Sequence, residues 1–238
     1  MLLLSIVKND KKLTFIHLLI QFSMQTTMKN LLVIQFAKWP VLGNVKTRLA
    51  HSIGNEKALN VHMALMGEVL DKIILAQLEG VSADVQLWLN DMPANSGAMS
   101  EIFKKTHVNN ISCLLQKGNN LGNKMANAII SSLQSYSKVI ILGSDCPNIS
   151  TETLTKASEA LNKTDVVLGP AEDGGYVLIG ASKFNENIFN NVAWGLGEVF
   201  VKTVENMNEF NFSYSILEQS WDVDDLADYE RWCKLKRV

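Results

Sequence analysis

Two apolar runs, Leu31–Ala37 and Lys138–Leu142, constrain this chain more than any other feature. Each has strand length, and neither alternates apolar with polar residues as a half-wet strand does. They read as strands buried on both faces of a parallel sheet. A parallel sheet needs crossover helices, and the sequence supplies them. Between the runs, Asn55–Leu78 carries Ala58, Val61, Leu65, Val69 and Ile73 at helical spacing. Further strands are expected at Asp84–Leu89, Ile111–Leu115, Asp165–Leu168, Tyr176–Ile179 and Asn211–Ile216. Further helices are expected over Leu121–Leu133, from a Ser150 or Thr151 cap to Leu161, over Leu196–Met207 and over Asp224–Lys234. Strands interleaved with helices predict an α/β fold: three layers, Rossmann-like, around a mostly parallel sheet.

Residues 1–27 stand apart. Their apolar patches, Leu2–Val7 and Leu13–Phe22, are split by Lys8, Asp10, Lys11 and Lys12. Neither reaches the roughly 18 apolar residues of a membrane span. A fresh segment opens at Met28, so residues 1–27 read as an N-terminal extension and 28–238 as a single domain. The net charge of -2 argues against a nucleic-acid surface. The three cysteines form no C-x-x-C pair and their number is odd, which argues against a disulfide framework or structural zinc. A reducing cytoplasm is the expected location.

In open α/β sheets, ligands bind where strands end at their carboxyl side. The loop after the first run holds Lys38, Lys46 and Arg48, with Pro40 and Gly43 bending its backbone. Three cations and free amides suit a di- or triphosphate. After the second run comes Gly143-Ser144-Asp145-Cys146-Pro147. A carboxylate there is costly unless paired or metal-bound, so Asp145 is a candidate ligand for a hard divalent cation. Cys146 reads as a buried structural thiol. Glu172-Asp173-Gly174-Gly175-Tyr176 lies between two strands, and its glycines allow close approach of a ligand. Asp173 suits a metal ligand, a hydroxyl acceptor or a base; a tight Asp-Gly turn is the plain alternative. In Trp221-Asp-Val-Asp-Asp-Leu226, Asp224 suits a helix N-cap, with Asp225 and Asp228 in the first turn, which leaves Asp222 for a metal or ligand. Trp194, between glycines, is a candidate wall of an acceptor pocket. His17, His51, His62 and His107 share no motif spacing and read as surface or core residues.

Taken together and in this order, Phe36-Ala-Lys-Trp-Pro-Val-Leu-Gly-Asn-Val-Lys-Thr-Arg-Leu, Gly143-Ser-Asp-Cys-Pro, Pro170-Ala-Glu-Asp-Gly-Gly-Tyr-Val-Leu-Ile-Gly and Asp222-Val-Asp-Asp-Leu resemble the DUF2064 family. Its members are often named as glycosyltransferases of the arsenosugar-biosynthesis type. The resemblance runs from about Leu31 to Leu226 and implies a GT-A fold. The Lys-Thr-Arg-Leu loop is also similar to that of 2-phospho-lactate guanylyltransferases, and Asp-Val-Asp to a C-terminal motif of nucleotidyltransferases. By this likeness Lys38, Gly43, Lys46, Arg48 and Ser144 would bind the donor phosphates. Asp145 would hold Mg²⁺ or Mn²⁺ with Asp222 and Asp224. Asp173 would act at the acceptor, beside Glu172, Gly174, Gly175, Tyr176 and Trp194. The sequence departs from the family at Asn119-Asn-Leu-Gly-Asn-Lys-Met125, where acidic residues are usual, and at Trp194-Gly-Leu-Gly197.

The implied activity is glycosyl transfer from a nucleotide sugar to a small-molecule acceptor. Nucleotidyl transfer from a nucleoside triphosphate is the alternative, and a non-catalytic nucleotide-binding protein the third. A homodimer stays open, and no membrane span is expected.

Overall fold

The computed structural model describes residues 28–92 and 100–236. The proposed extension over residues 1–27, with His17, lies outside the described residues.

Seven strands form one sheet: β1 (Lys29–Ala37), β2 (Asp84–Leu89), β3 (Ser112–Leu115), β4 (Tyr136–Gly143), β5 (Val166–Pro170), β6 (Tyr176–Ala181) and β7 (Tyr214–Ile216). Their order is β3-β2-β1-β4-β6-β5-β7. Every neighbouring pair is parallel except those that β6 makes with β4 and β5. The helices among the described residues are α1 (Thr47–Ile53), α2 (Asn55–Leu78), α3 (Ser100–Val108), α4 (Leu121–Ser132), α5 (Thr151–Ala160), α6 (Val199–Glu209) and α7 (Leu226–Leu235). A 3-10 turn spans Glu186–Phe189.

The two apolar runs lie side by side at the centre, with Phe36 of β1 opposite Gly143 of β4. Alternate residues of β1 face opposite layers. Leu31 and Val33 pack with Met66, Val69, Leu70 and Ile73 of α2 and with Leu154 of α5. Leu32, Ile34 and Phe36 pack with Met125 and Ile129 of α4 and with Met207 of α6. Both faces are thus covered by helices, which is why the strand shows no period-2 pattern. A smaller cluster joins Leu49 of α1, Val61 and Leu65 of α2 and Trp232 of α7 with Trp221 and Val223.

Helix caps follow the expected chemistry. Ser150 Oγ accepts from the Thr153 amide at 3.2 Å, and Asn120 Oδ1 from the Asn123 amide at 2.8 Å. At α7 the cap is Asp225 rather than Asp224, because Asp225 and Asp228 close a reciprocal capping box. Asp224 is thereby released from the helix end. Two helices were not expected from the sequence, α1 and α3. The helix assigned to begin near Leu196 begins at Val199. Among the described residues, no helix is long and apolar enough to cross a membrane.

Candidate active site

The sheet changes direction at β1: the chain runs from β1 to β2 and β3 on one side, then returns to β4 on the other. At such a switch point the loops after β1 and β4 diverge and leave a crevice. Here the crevice is a cleft of about 510 Å³. Strand β6 adds its first residue, Tyr176, to the same end, since Leu178 pairs antiparallel with Leu142. The C-terminal segment is drawn in by the bridge Ala171–Ser220 and by the Val223 amide, which donates to the Asp145 carbonyl at 3.0 Å. The register therefore brings all four motif loops to one edge of the sheet.

Asp145 is the hub. Its Oδ2 lies 2.6 Å from Lys46 Nζ, and Ser144 Oγ donates to its Oδ1 at 3.2 Å. Lys46 Nζ also donates to the Val223 carbonyl at 2.5 Å. Lys46 reaches this position from a left-handed backbone, φ 49°, directly before α1. Its side chain is 4% exposed while that of Asp145 is 32% exposed, so the carboxylate is the more open of the two. Burial pushes the Asp145 carboxyl up, but the Lys46 ammonium and His62, with hydrogen bonds from Lys46 and Ser144, hold it below the usual carboxylate range.

His62, from the third turn of α2, is the functional neighbour that the sequence reading missed. It is 2% exposed, and its Nδ1 lies 3.8 Å from Asp145 Oδ1. Its Nε2 sits 2.9 Å from the Lys38 carbonyl oxygen, which can only accept, so Nε2 carries the proton. Burial holds the imidazole pKa below its ordinary value, against the pull of Asp145. Nothing in the spacing of His62 points to this; the signal lies in α2 packing beneath the loop after β1.

The remaining carboxylates gather around Asp222. Asp222 is pushed up to about 6, first by burial and then by Asp173, with Asp145 and Asp224 adding to it and Lys46 opposing. Asp224 lines the cleft and pairs with Arg48 at 2.8 Å. Among the described residues no three histidine, cysteine or acidic side chains converge as a ready-made metal cage. Mg²⁺ does not require one: it commonly takes one or two carboxylates and completes its shell with water and substrate phosphate. Asp145 and Asp222 fit that pattern: burial first, and then the neighbouring carboxylates of Asp173, Asp145 and Asp224, disfavour the Asp222 carboxylate, and a bound cation would offset both.

Of the residues singled out in the sequence, Lys38, Lys46, Ser144, Asp145, Tyr176, Trp194 and Asp224 line the cleft. Gly43, Arg48, Asp173, Gly174, Gly175 and Asp222 are not among its lining residues. Asp173 Oδ1 accepts from the Gly175 amide at 2.9 Å, so the Asp-Gly turn forms and the carboxylate also bears on Asp222. Glu172 is held away from the cleft by Arg231, which donates to both its oxygens at 3.0 and 2.9 Å. Arg231 in turn lies over the Trp221 ring, 4.1 Å from its centroid. Gly174, at φ 84°, leaves no room for a side chain: a Cβ there would sit 2.0 Å from the Gly197 carbonyl oxygen. With the Phe200 amide donating to the Gly174 carbonyl at 2.9 Å, this close approach ties the Asp173 turn to the loop carrying Trp194. Tyr176 presents its ring to the cleft, and burial holds its hydroxyl protonated. Cys146 is fully buried, and burial, with Asp145 and Asp222, pushes its thiol up to about 12. It is no nucleophile at neutral pH.

Asn120 and Asn123 occupy the start of α4 as a cap and its partner amide. Residues 74–196, just over half the chain, match the profile of DUF2064, a family described as uncharacterized protein conserved in bacteria. The chain belongs to the DUF2064 family. No curated protein matches it. Among solved structures, a proposed nucleotide-diphospho-sugar transferase from Desulfovibrio desulfuricans G20 is 29% identical and superposes with a TM-score of 0.76, over 88% of this DUF2064 chain and 89% of that protein. The 4-diphosphocytidyl-2C-methyl-D-erythritol synthase of Anaerococcus prevotii DSM 20548 has a TM-score of 0.54 at 10% identity, over 88% and 99% of the two chains. CMP:2-keto-3-deoxy-manno-octonic acid synthetase, solved with CTP, has 0.54 at 8% identity, over 87% and 98%. At those last identities the likeness is one of fold. The fold is that of the nucleotide-diphospho-sugar transferases and cytidylyltransferases, the GT-A class expected from the sequence.

Proposed function

We propose that this DUF2064 protein transfers a glycosyl group from a nucleotide-diphosphate sugar to a small-molecule acceptor, with residues 28–238 as one catalytic domain. The observation that carries this reading is the meeting of Lys46 and Asp145, 2.6 Å apart, at the carboxyl ends of the two central strands. A cation and a cleft-facing carboxylate at the switch point of a nucleotide-sugar fold suit a metal-chelated diphosphate. The likeness to the Desulfovibrio protein supports the same class.

Asp145 and Asp222 would hold Mg²⁺ or Mn²⁺, which when bound supplies charge neutralisation for the leaving diphosphate. Lys38 lines the cleft beside them, and Arg48, 69% exposed, can turn from Asp224 to a phosphate at little cost. Preorganised cations where charge develops are the largest contribution available to such a step. Lys46 is held by the Val223 carbonyl as well as by Asp145, so its position does not depend on the substrate. Asp173 is the candidate for orienting the acceptor hydroxyl and taking its proton, and the Trp194 loop, tied to its turn, forms the acceptor wall.

The test is product analysis. The protein is incubated with UDP- and GDP-sugars, and separately with nucleoside triphosphates, in Mg²⁺ or Mn²⁺. Acceptor-dependent release of a nucleoside diphosphate, lost in Asp145→Asn, is expected. Pyrophosphate from a triphosphate with no diphosphate release would replace this reading by nucleotidyl transfer. Tight nucleotide binding with neither product would make the protein a binding module.

A further inference from the structure

Beside the cleft, on the Trp194 side, lies a second hollow of about 480 Å³. Four asparagines, Asn120, Asn123, Asn190 and Asn191, line it together with Trp194 and Glu186. Trp194 and Asn120 border both spaces. The indole is a fixed partition. Gly122 lets it lie flush against the start of α4, since a Cβ at that position would come within 2.5 Å of the ring. Edge contacts with Phe189 at 5.3 Å and Tyr176 at 6.4 Å hold it from two sides.

The two spaces differ in chemistry. The cleft is lined by Lys38, Lys46 and Lys124, as a diphosphate requires. Among the described residues no lysine or arginine lines the hollow, and the one charged residue there, Glu186, is acidic. A carboxamide both donates and accepts, which is the pairing a hydroxyl needs; an anion needs donors alone. The local bonding preserves both capacities. Asn120 uses its oxygen on the helix cap, leaving its NH₂ to donate. Asn190 turns its NH₂ to Asn187 at 3.2 Å, leaving its oxygen to accept. Trp194 adds an apolar face of the kind that the C–H side of a sugar ring covers.

From this contrast we infer that the hollow is the acceptor subsite and that it takes an uncharged, hydroxyl-rich molecule, a monosaccharide or polyol, rather than a phosphorylated or carboxylated one. The inference rests on reading the adjoining cleft as the donor site.

Saturation-transfer NMR on the full chain tests it, with glucose, galactose, mannitol and glucose 6-phosphate as probes and UDP and GDP titrated in parallel. At least one neutral probe is expected to bind saturably and more tightly than glucose 6-phosphate. Asn123→Leu and Asn190→Leu, both at exposed positions, should weaken that probe roughly tenfold, the loss of one or two hydrogen bonds. Glu186→Lys should shift preference toward glucose 6-phosphate. Binding of glucose 6-phosphate ahead of every neutral probe, no neutral binding at all, or neutral binding unchanged in both asparagine variants would overturn the inference. The nucleotide titration separates the two readings: neutral probes lost in the variants while neither UDP nor GDP binds the wild type would keep the subsite and remove the donor site.

Discussion

Lys46 and Asp145 form a tether as well as an ion pair. Lys46 Nζ is 2.6 Å from the Asp145 carboxylate and 2.5 Å from the Val223 carbonyl, so one ammonium joins the loops after β1 and β4 to the segment before α7. The Lys46 side chain is almost wholly buried, and without it Asp145 would lack its closest cation while still bearing on Asp222. Removing one partner of such a pair leaves a stranded charge. Lys46→Met should therefore lower stability by about 2 kcal/mol, at the modest end because Asp145 is partly exposed. Millimolar Mn²⁺ should return part of that loss if a cation can sit against Asp145. Urea denaturation with and without Mn²⁺ measures both, and equal stabilisation of wild type and Asp145→Asn by Mn²⁺ would remove Asp145 from the metal site.

Asp222 gives a pH prediction with a definite sign. Its folded-state pKa is raised to about 6 from 3.8. The folded state therefore holds this proton more tightly than the unfolded chain does, and the stabilisation from protonation is complete below pH ~4 and lost as the pH rises through ~6. In metal-free buffer, Asp222→Asn should remove that loss, making the variant more stable than wild type at pH 7.5 by on the order of 1 to 2 kcal/mol after allowance for partial exposure. At pH 4 the two should agree. Added Mg²⁺ should reverse the order at pH 7.5, because only the wild type has the carboxylate to bind it. Chemical denaturation at the two pH values, with EDTA or Mg²⁺, checks each step.

Much of the fold was legible, for a physical reason. Leu31–Ala37 and Lys138–Leu142 are apolar on both faces because helices cover both faces, and α2 spans the residues its periodicity marked, Asn55–Leu78. Helix α1 escaped notice because it is only seven residues long and starts from a left-handed lysine after Pro40 and Gly43, which look like loop. The cap of α7 was misplaced by one residue because Asp224 and Asp225 are chemically alike; only the reciprocal bonds with Asp228 distinguish them. Asp145 and the β1 loop could be singled out because ligands gather at strand ends. The part played by His62 could not, since it depends on how α2 rotates against the Lys38 carbonyl. Nor could the nearness of Asp173 to Asp222, which needs the Ala171–Ser220 bridge, or the capture of Glu172 by Arg231.

Gly174 should be intolerant of any side chain. Alanine there would need the φ of 84° and would place Cβ 2.0 Å from the Gly197 oxygen, a contact that backbone alone must yield to relieve. Gly174→Ala should cost about 1 to 3 kcal/mol and free the Trp194 loop from the Asp173 turn. Loss of near-ultraviolet Trp dichroism with little change in the far-ultraviolet signal is the expected signature. Unchanged Trp dichroism would show that the two loops are not coupled through this contact.

Arg48 separates binding from stability. Its pair with Asp224 is short, 2.8 Å, but the two side chains are 69% and 40% exposed, the regime in which ion pairs contribute little. Arg48→Ala should thus leave the urea midpoint within the equivalent of about 0.5 kcal/mol of wild type. If Arg48 instead turns to the donor diphosphate, the same variant should bind a nucleoside diphosphate about tenfold more weakly, the equivalent of one charge-assisted hydrogen bond, and the salt dependence of that binding should fall. Arg48→Lys should recover only part of the affinity, because an ammonium cannot grip two phosphate oxygens as a planar guanidinium does. Calorimetric titration at two ionic strengths, beside the denaturation curves, gives all of these quantities. A large stability loss with unchanged nucleotide affinity would assign Arg48 to holding the Asp224 segment in place and take it out of the donor site.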